Sequence, residues 1–506
     1  MTSFLVGERW EGDSLIFHVH LRMPSTDFLS IPMRITQLSL RTVLVGLIGL
    51  ALSFVLASCD NLLDVSPQQE VEPSQAFQSE GGFESTLSSV YDDLQDPGYY
   101  AQFYMLYPEA LADNAINLSG VARYDGPPRN AAREHLNRWG AHYESINKAN
   151  VLLSEIGSFE ADTTFKREIR GEASFLRALN YFDLVRTKAY EPGVTVGGFT
   201  QGVILRETPT QSSEQATQLK SRASVSEVYN LIESDLRNAR DLLSGVGNSR
   251  FKANEAAAQA LLAQVHLYRK DFDDAASTAT AALESAADNL DADLLEKEEY
   301  VEAHVGEVMS SAIFSLDMRP EFDGDATSVN ESLSSLTHDP SSFNFQLLPT
   351  QDLISAHEDG DVRLELYETL PSGNTRINKY TQAVGTYTDN IPVIRAAELL
   401  LIRAEARFEN ENESGALEDV NTLRSARGLS EVSLSGESLI EEILRQKRLE
   451  LAFEGERFFD LKRRGMDIPK PQVDIPDLSY EDRRILAPIP STEVQLNDSL
   501  KQNPGY

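Results

Sequence analysis

From about residue 133 onward, apolar residues recur at intervals of three and four along most of the chain. That period belongs to helices that bury one face. Arg133–Ile156 places Leu136, Trp139, Tyr143, Ile146, Asn150 and Leu153 on such a stripe. Phe165–Lys188 follows with Ile169, Ala173, Leu176, Leu179, Tyr181, Phe182 and Val185, and Gly157 and Ser158 punctuate the pair. A second pair is predicted at Ser226–Leu243 and Asn254–Leu283, where the small residues Ala260, Ala263 and Ala276 let antiparallel helices approach closely. Further pairs are expected at Val393–Glu409 with Ser414–Ala426, and at Ser438–Arg464.

The Trp139…Tyr143…Ala149 spacing and the alanine-rich hairpin are similar to tetratricopeptide units, which bury their apolar faces by stacking. The expected fold is all-α: a tetratricopeptide-like helix-hairpin array with long irregular loops and few short strands. It forms a single domain over 81–506, with an N-terminal part 81–250 and a C-terminal part 251–506. Tyr190–Ser221, Asp317–Gln346 and Ser372–Asn390 are rich in Gly, Ser, Thr, Pro and Asn and read as loops crossing the frame. The C-terminal segment, Ile485–Pro490 and Asn503–Tyr506, is expected to pack back on the helices.

One stretch before this body differs. Arg34 and Arg41 precede a nearly unbroken apolar run from Val43 to Leu56, about fourteen residues where a membrane-spanning helix needs roughly 20. A basic flank, a short apolar core and small residues at its end describe an export signal. The run closes on Leu56-Ala57-Ser58-Cys59, which resembles a bacterial lipobox, and Cys59 is the only cysteine of the chain. Residues 33–58 therefore read as a lipoprotein signal peptide, Cys59 as the lipidated first mature residue, and 59–80 as a tether. Residues 1–32 have no signal character and read as a mis-called extension ahead of Met33.

Charge narrows the partners. Asp+Glu 79 against Lys+Arg 45 gives a formal net charge of −34, which repels nucleic acid and anionic lipid headgroups. Residues 1–58 hold four residues of each sign, so the acidic excess belongs to the exported part. A lone cysteine excludes a disulfide framework and cysteine-rich metal centres. The eight histidines show no HExxH spacing. No cofactor is expected; calcium at acidic loops would have no EF-hand spacing behind it.

Four blocks carry a family resemblance: Glu168–Arg186, Val393–Ala406, Ile443–Arg463, and Leu486–Pro490 with Gln502–Tyr506. With the lipobox, they resemble the SusD/RagB family of outer-membrane nutrient-binding lipoproteins across essentially the whole mature chain. The resemblance implies a lipid-tethered protein at the outer membrane, facing the exterior, that binds an oligomeric nutrient without catalysis. Glycans are the usual nutrient. It also implies delivery to a SusC-like TonB-dependent β-barrel transporter. The sequence departs at Glu456 and Phe458-Phe459, where the family often has His or Tyr and Trp. Charged residues within the blocks, among them Arg177, Arg395, Glu398, Arg403, Glu405, Arg448, Glu450, Glu454 and Arg457, read as interhelical ion pairs and not as ligand contacts.

Saccharides are held by flat aromatic faces with amides, carboxylates or guanidiniums reaching the hydroxyls, on loops carried by a rigid frame. The densest such mixture gives Tyr99, Tyr100, Asp113, Asn114, Asn117, Tyr124 and Asp125 as candidate ligand contacts. Next comes Tyr380, Tyr387, Asp389 and Asn390, with Gln382 beside them, and a weaker signal lies at Phe343–Gln346. Phe103, Tyr104 and Tyr107 can equally be core of a short helix. No G-x-S-x-G or P-loop appears, though two acids brought together in space could form a glycosidase pair. A tetratricopeptide-type scaffold for protein partners, and uptake of peptide instead of glycan, are the alternative readings.

Overall fold

The computed structural model describes residues 76–118, 124–130, 136–319, 332–342, 345–471 and 473–506. The extension, the signal peptide, Cys59 and most of the tether lie outside the described residues, as do Phe343 and Asn344. The longer helices are α1 (Glu80–Leu94), α2 (Phe103–Leu111), α3 (Trp139–Glu155), α4 (Thr163–Lys188), α5 (Val225–Leu243) and α6 (Glu255–Arg269). They continue with α7 (Phe272–Leu290), α8 (Lys297–Val305), α9 (Ala396–Glu409), α10 (Glu413–Ala426), α11 (Glu437–Glu450) and α12 (Arg457–Arg463). From α3 to α7 each helix packs on the next, α7 packs on α9, and α9 packs on α10 and α11. This serial packing is the all-α array that the periodicity predicts. Among the described residues, no helix is long and apolar enough to cross a membrane.

Local signals set the boundaries. Ser224 and Glu227 close a capping box at the start of α5, and the Asp162 side chain accepts from Phe165 N at the start of α4, which satisfies backbone donors that have no intrahelical partner. Three predicted segments are cut where the backbone turns. Asn254–Leu283 divides into α6 and α7 at Lys270, whose φ of 64° is left-handed. Val393–Arg395 is strand, and its helix begins at Ala396. Ser438–Arg464 divides into α11 and α12 through Phe453 and Gly455, both at positive φ. At Gly455 a Cβ would stand 2.1 Å from the Tyr104 carbonyl oxygen, so only glycine permits this approach to α2.

Among the described residues, six short strands, β1 (Ala115–Asn117), β2 (Ala312–Leu316), β3 (Leu347–Pro349), β4 (Tyr367–Thr369), β5 (Thr375–Ile377) and β6 (Ile391–Arg395), form the antiparallel pairs β1–β3, β2–β6 and β4–β5. They stitch the long loops to the helices. The C-terminal segment does pack back: Ala487 N donates to Thr187 O, Lys188 Nζ to Pro488 O, and Arg222 Nη1 to Asn503 Oδ1 at 2.7 Å.

The charged blocks are frame, but buried frame. Arg363, Arg395 and Arg427, each 1% exposed or less, converge on Glu450 at the end of α11. Arg427 holds both carboxylate oxygens at 2.8 Å, Arg395 one at 2.7 Å, and Arg363 one at 3.4 Å. Arg395 also pairs with Glu454, which Lys379 shares, and Arg363 with Asp361. The surrounding guanidiniums outweigh desolvation and hold the Glu450 carboxyl well below its ordinary range. A second cluster joins Glu405 to Arg463 and Arg464, which hold its carboxyl down at about 2 despite burial.

A different arrangement spans α6 and α9. Gln264 Nε2 lies between Glu398 Oε1 (3.3 Å) and Glu456 Oε2 (3.2 Å), and burial, followed by the neighbouring Glu456 charge, pushes the Glu398 carboxyl up to about 8.

Replacing Glu450 with Gln keeps its shape but leaves three buried guanidiniums short of a counter-charge. The expected outcome is a loss of about 3–5 kcal/mol in urea unfolding at neutral pH. An unchanged midpoint would refute the assignment of Glu450 as the hub.

Candidate functional site

The structure moves most of the first predicted cluster into the core. Tyr99 and Tyr100 are buried, and both hydroxyls donate to Asp183 Oδ2 on α4, at 2.5 and 2.8 Å. Their rings lie 4.5 Å apart, and the Arg138 guanidinium covers Tyr99 at 4.8 Å. Tyr104 OH meets His142 Nε2 at 3.0 Å, and burial lowers the His142 imidazole pKa to about 3. Tyr124 is buried as well. These three predicted contacts, Tyr99, Tyr100 and Tyr124, therefore present no free ring face. For Tyr99 and Tyr100 the cause is an acceptor in the core: the buried Asp183 carboxylate, paired with Arg186 at 2.7 Å, takes further donors from the two phenols.

Asp113 and Asn114 are likewise frame. Asp113 is gripped by Arg457, with Nε–Oδ1 at 2.6 Å, and this pairing holds its carboxyl below the ordinary value against the burial that opposes it. Asn114 accepts from Arg448 Nε at 2.9 Å and donates to Glu109 Oε2 at 2.7 Å. Burial raises the Glu109 carboxyl to about 7. The end of α2 is thus locked to α11 and α12. Asp125 is exposed and pairs with Arg129.

An aromatic surface does emerge beside these residues. Phe103 and Tyr107, one helical turn apart on α2, stack at 4.5 Å with an interplanar angle of 26°. Both are half-buried, whereas Tyr104, Met105, Leu106 and Pro108 on the other faces are buried. Tyr107 also meets the Tyr124 ring at 5.2 Å. The i, i+4 spacing was the signal for this pair; what selects it over its neighbours is the direction of α2 against the core.

The second predicted loop divides in the same way. Tyr380 is buried, its hydroxyl donating to Phe453 O at 3.0 Å. Asp389 Oδ1 accepts from the backbone of Thr381 and Ala383, both at 2.9 Å, and burial raises its carboxyl pKa. Asn390 ties Met318 N to Glu307 O, at 2.8 Å each. These three brace the loop. Gln382 and Tyr387, at φ of 69° and 59°, occupy the left-handed region that side chains disfavour. Gln382 Oε1 accepts from Tyr387 N, and its Nε2 reaches Asp339 Oδ2 at 3.3 Å.

Hydrogen bonds connect the two loops. Asn117 ends β1 opposite Leu347, Leu118 N donates to Gln346 O at 2.6 Å, Gln346 N to Leu336 O, and Asp339 N to Ser334 O. The Pro127–Arg129 turn packs on both α2 and β1. A rim therefore forms with the Phe103–Tyr107 pair beside it and half-buried Asn117, Gln382 and Tyr387 along it. Among the described residues no group of three or more His, Cys, Asp or Glu is placed to hold a metal ion. The site offers stacking and hydrogen bonding from amide and hydroxyl groups.

The comparisons agree with this architecture. The SusD family model matches residues 370–506, and a second, described as "starch-binding associating with outer membrane", matches 61–267. Two SusD-like proteins of Formosa agariphila are 26% and 27% identical, covering 89% and 73% of this chain and 96% and 80% of their own. Among solved structures, a SusD superfamily protein of Bacteroides thetaiotaomicron superposes with a TM-score of 0.75 at 25% identity over 84% of this chain and 100% of its own. A Bacteroides vulgatus protein described as sugar binding gives 0.75 at 27% identity, over 84% and 98%. The class defined by this fold is that of helical binding proteins. The chain belongs to the SusD/RagB family.

Tyr99→Phe and Tyr100→Phe should each lower stability by about 1.5–3 kcal/mol, since each removes a donor from the buried Asp183 carboxylate. Saccharide affinity of the folded variants should not move. Calorimetric unfolding with parallel glycan titration checks both, and a selective loss of affinity would return these rings to the binding surface.

Proposed function

We propose that the protein is a non-catalytic surface lipoprotein that captures an oligosaccharide and delivers it to a SusC-like TonB-dependent barrel in the outer membrane. The observation that carries this reading is the stacked Phe103–Tyr107 pair beside an amide- and hydroxyl-bearing rim. Flat apolar faces suit the C–H faces of sugar rings, and neutral polar groups suit their hydroxyls. The family membership, the matched family model's description as starch-binding and one structural neighbour's description as sugar binding support it. Lipidation at Cys59 supplies the tether, since acyl chains contribute about 0.8 kcal/mol per buried CH₂ and two or more anchor stably.

Phe103→Ala and Tyr107→Ala should each weaken oligosaccharide binding by about two- to tenfold, because aromatic contacts of this kind contribute about 0.5–1.5 kcal/mol. Affinity electrophoresis against a panel of neutral polysaccharides reads this directly. Unchanged mobility shifts in both variants would remove the pair from the site. Release of reducing ends during prolonged incubation would end the non-catalytic reading. In cells, Cys59→Ala should move the protein from the membrane pellet to the soluble fraction.

A further inference from the structure

A cavity of about 240 Å³ lies between α11 and α12, apart from the rim. Its apolar wall is made by Leu444, Leu461 and Met466, the last 43% exposed at the mouth. Arg448, Arg457 and Arg464 line it, and each is held by the frame at one edge and free at the other. Arg448 is fixed through Nε to Asn114 Oδ1 (2.9 Å) and through Nη2 to Asp352 Oδ2 (2.8 Å). Arg457 is fixed through Nε and Nη2 to Asp113, at 2.6 and 2.9 Å. Arg464 is fixed through Nη1 to Glu405 and Glu409, both at 2.7 Å. Nη1 of Arg448, Nη1 of Arg457 and Nη2 of Arg464 donate to no described residue.

The remaining charges at the cavity are committed elsewhere, with one exception. Arg445 is engaged by Glu358 and Glu442, and Asp460 by Lys447 at 2.6 Å. Glu441, an exposed residue of the cavity lining, has no ion-pair partner among the described residues. Guanidiniums already immobilised by carboxylates lose little freedom on meeting a ligand, and their planar edges match oxyanions. The overall negative charge opposes an anion only weakly at this range, since solution ions screen charges beyond roughly 10 Å at 0.1 M salt.

We propose that this cavity binds a sugar ring bearing an oxyanion, either a uronate carboxylate or a sulfate ester. The ring's apolar face rests on Leu444, Leu461 and Met466, and the oxyanion meets the free guanidinium edges. The inference rests on the carbohydrate reading above and adds an acidic class of ligand at a second place.

Isothermal titration of the full chain with galacturonic acid, galactose 6-sulfate and neutral galactose, at constant ionic strength, tests it. At least one acidic sugar should bind about tenfold or more tightly than galactose, as a charge-assisted contact requires; the better of the two identifies the oxyanion. Met466→Glu, which leaves the ion-pair frame intact, and Arg464→Gln should each cut that affinity about tenfold, while Glu441→Gln should raise it several-fold. None should alter neutral-glycan binding at Phe103 and Tyr107. Equal affinity for acidic and neutral sugars, or acidic binding indifferent to all three substitutions, overturns the proposal while leaving uptake at the rim standing. Absence of binding to every saccharide overturns both.

Discussion

Glu450 is the point on which the C-terminal half of the fold depends. Its carboxylate sits among guanidiniums from the Val362–Leu366 turn, the β6–α9 junction and the end of α10. Hydrophobic packing alone does not fix how α9, α10 and α11 slide along one another, because an apolar face is tolerant of small shifts. A buried charge is not: a displacement that separates Glu450 from its partners exposes several kcal/mol of unrecovered desolvation. The array thus obtains a defined register from ions, and the loops that leave it start from fixed positions.

The same logic extends to the rim. Asp113 and Asn114, just before β1, are held by Arg457 of α12 and Arg448 of α11. Lys379, just before the second loop, is bound to Glu454. Each loop therefore departs from a clamped base, and what it displays is braced by other loops: Asn117 by the β1–β3 pairing, and Gln382, which holds Tyr387 N, by Asp339. Rigid support under a variable surface is the arrangement that lets one frame serve many ligands.

The helical frame was legible in the sequence because hydrophobic period is a local property: the stripe from Ile169 to Val185 needed no tertiary information. Breaks were harder to read. Lys270 and Phe453 adopt left-handed backbones that neither residue type favours, so the turn is imposed by the packing around it. At the candidate site, composition could not separate buried rings from half-buried ones. Tyr99, Tyr100, Phe103 and Tyr107 look alike along the chain, and the difference between them is Asp183, a distant carboxylate that draws two of them inward. Likewise, Asp389 and Asn390 have the chemistry of ligand contacts, yet their own loop consumes it. The charged blocks pair between helices as their spacing suggests, but their near-complete burial was not legible, since it follows from the stacking of helices on both sides.

The carboxyl pair bridged by Gln264 makes folding an event that involves solvent acidity. In the unfolded chain Glu398 releases its proton near 4.5, and in the native protein it retains it to about 8. Between those values the native state holds one more proton than the unfolded state, so this group's contribution falls as pH rises across that window. Glu405, with its carboxyl held at about 2, acts in the opposite sense: its stabilisation is present above 4.5 and is lost as the medium is acidified toward 2. Two glutamates seven residues apart on α9 thus bias the molecule from opposite sides. One penalises alkali, the other acid, and together they confine the native array to an interval of mild pH.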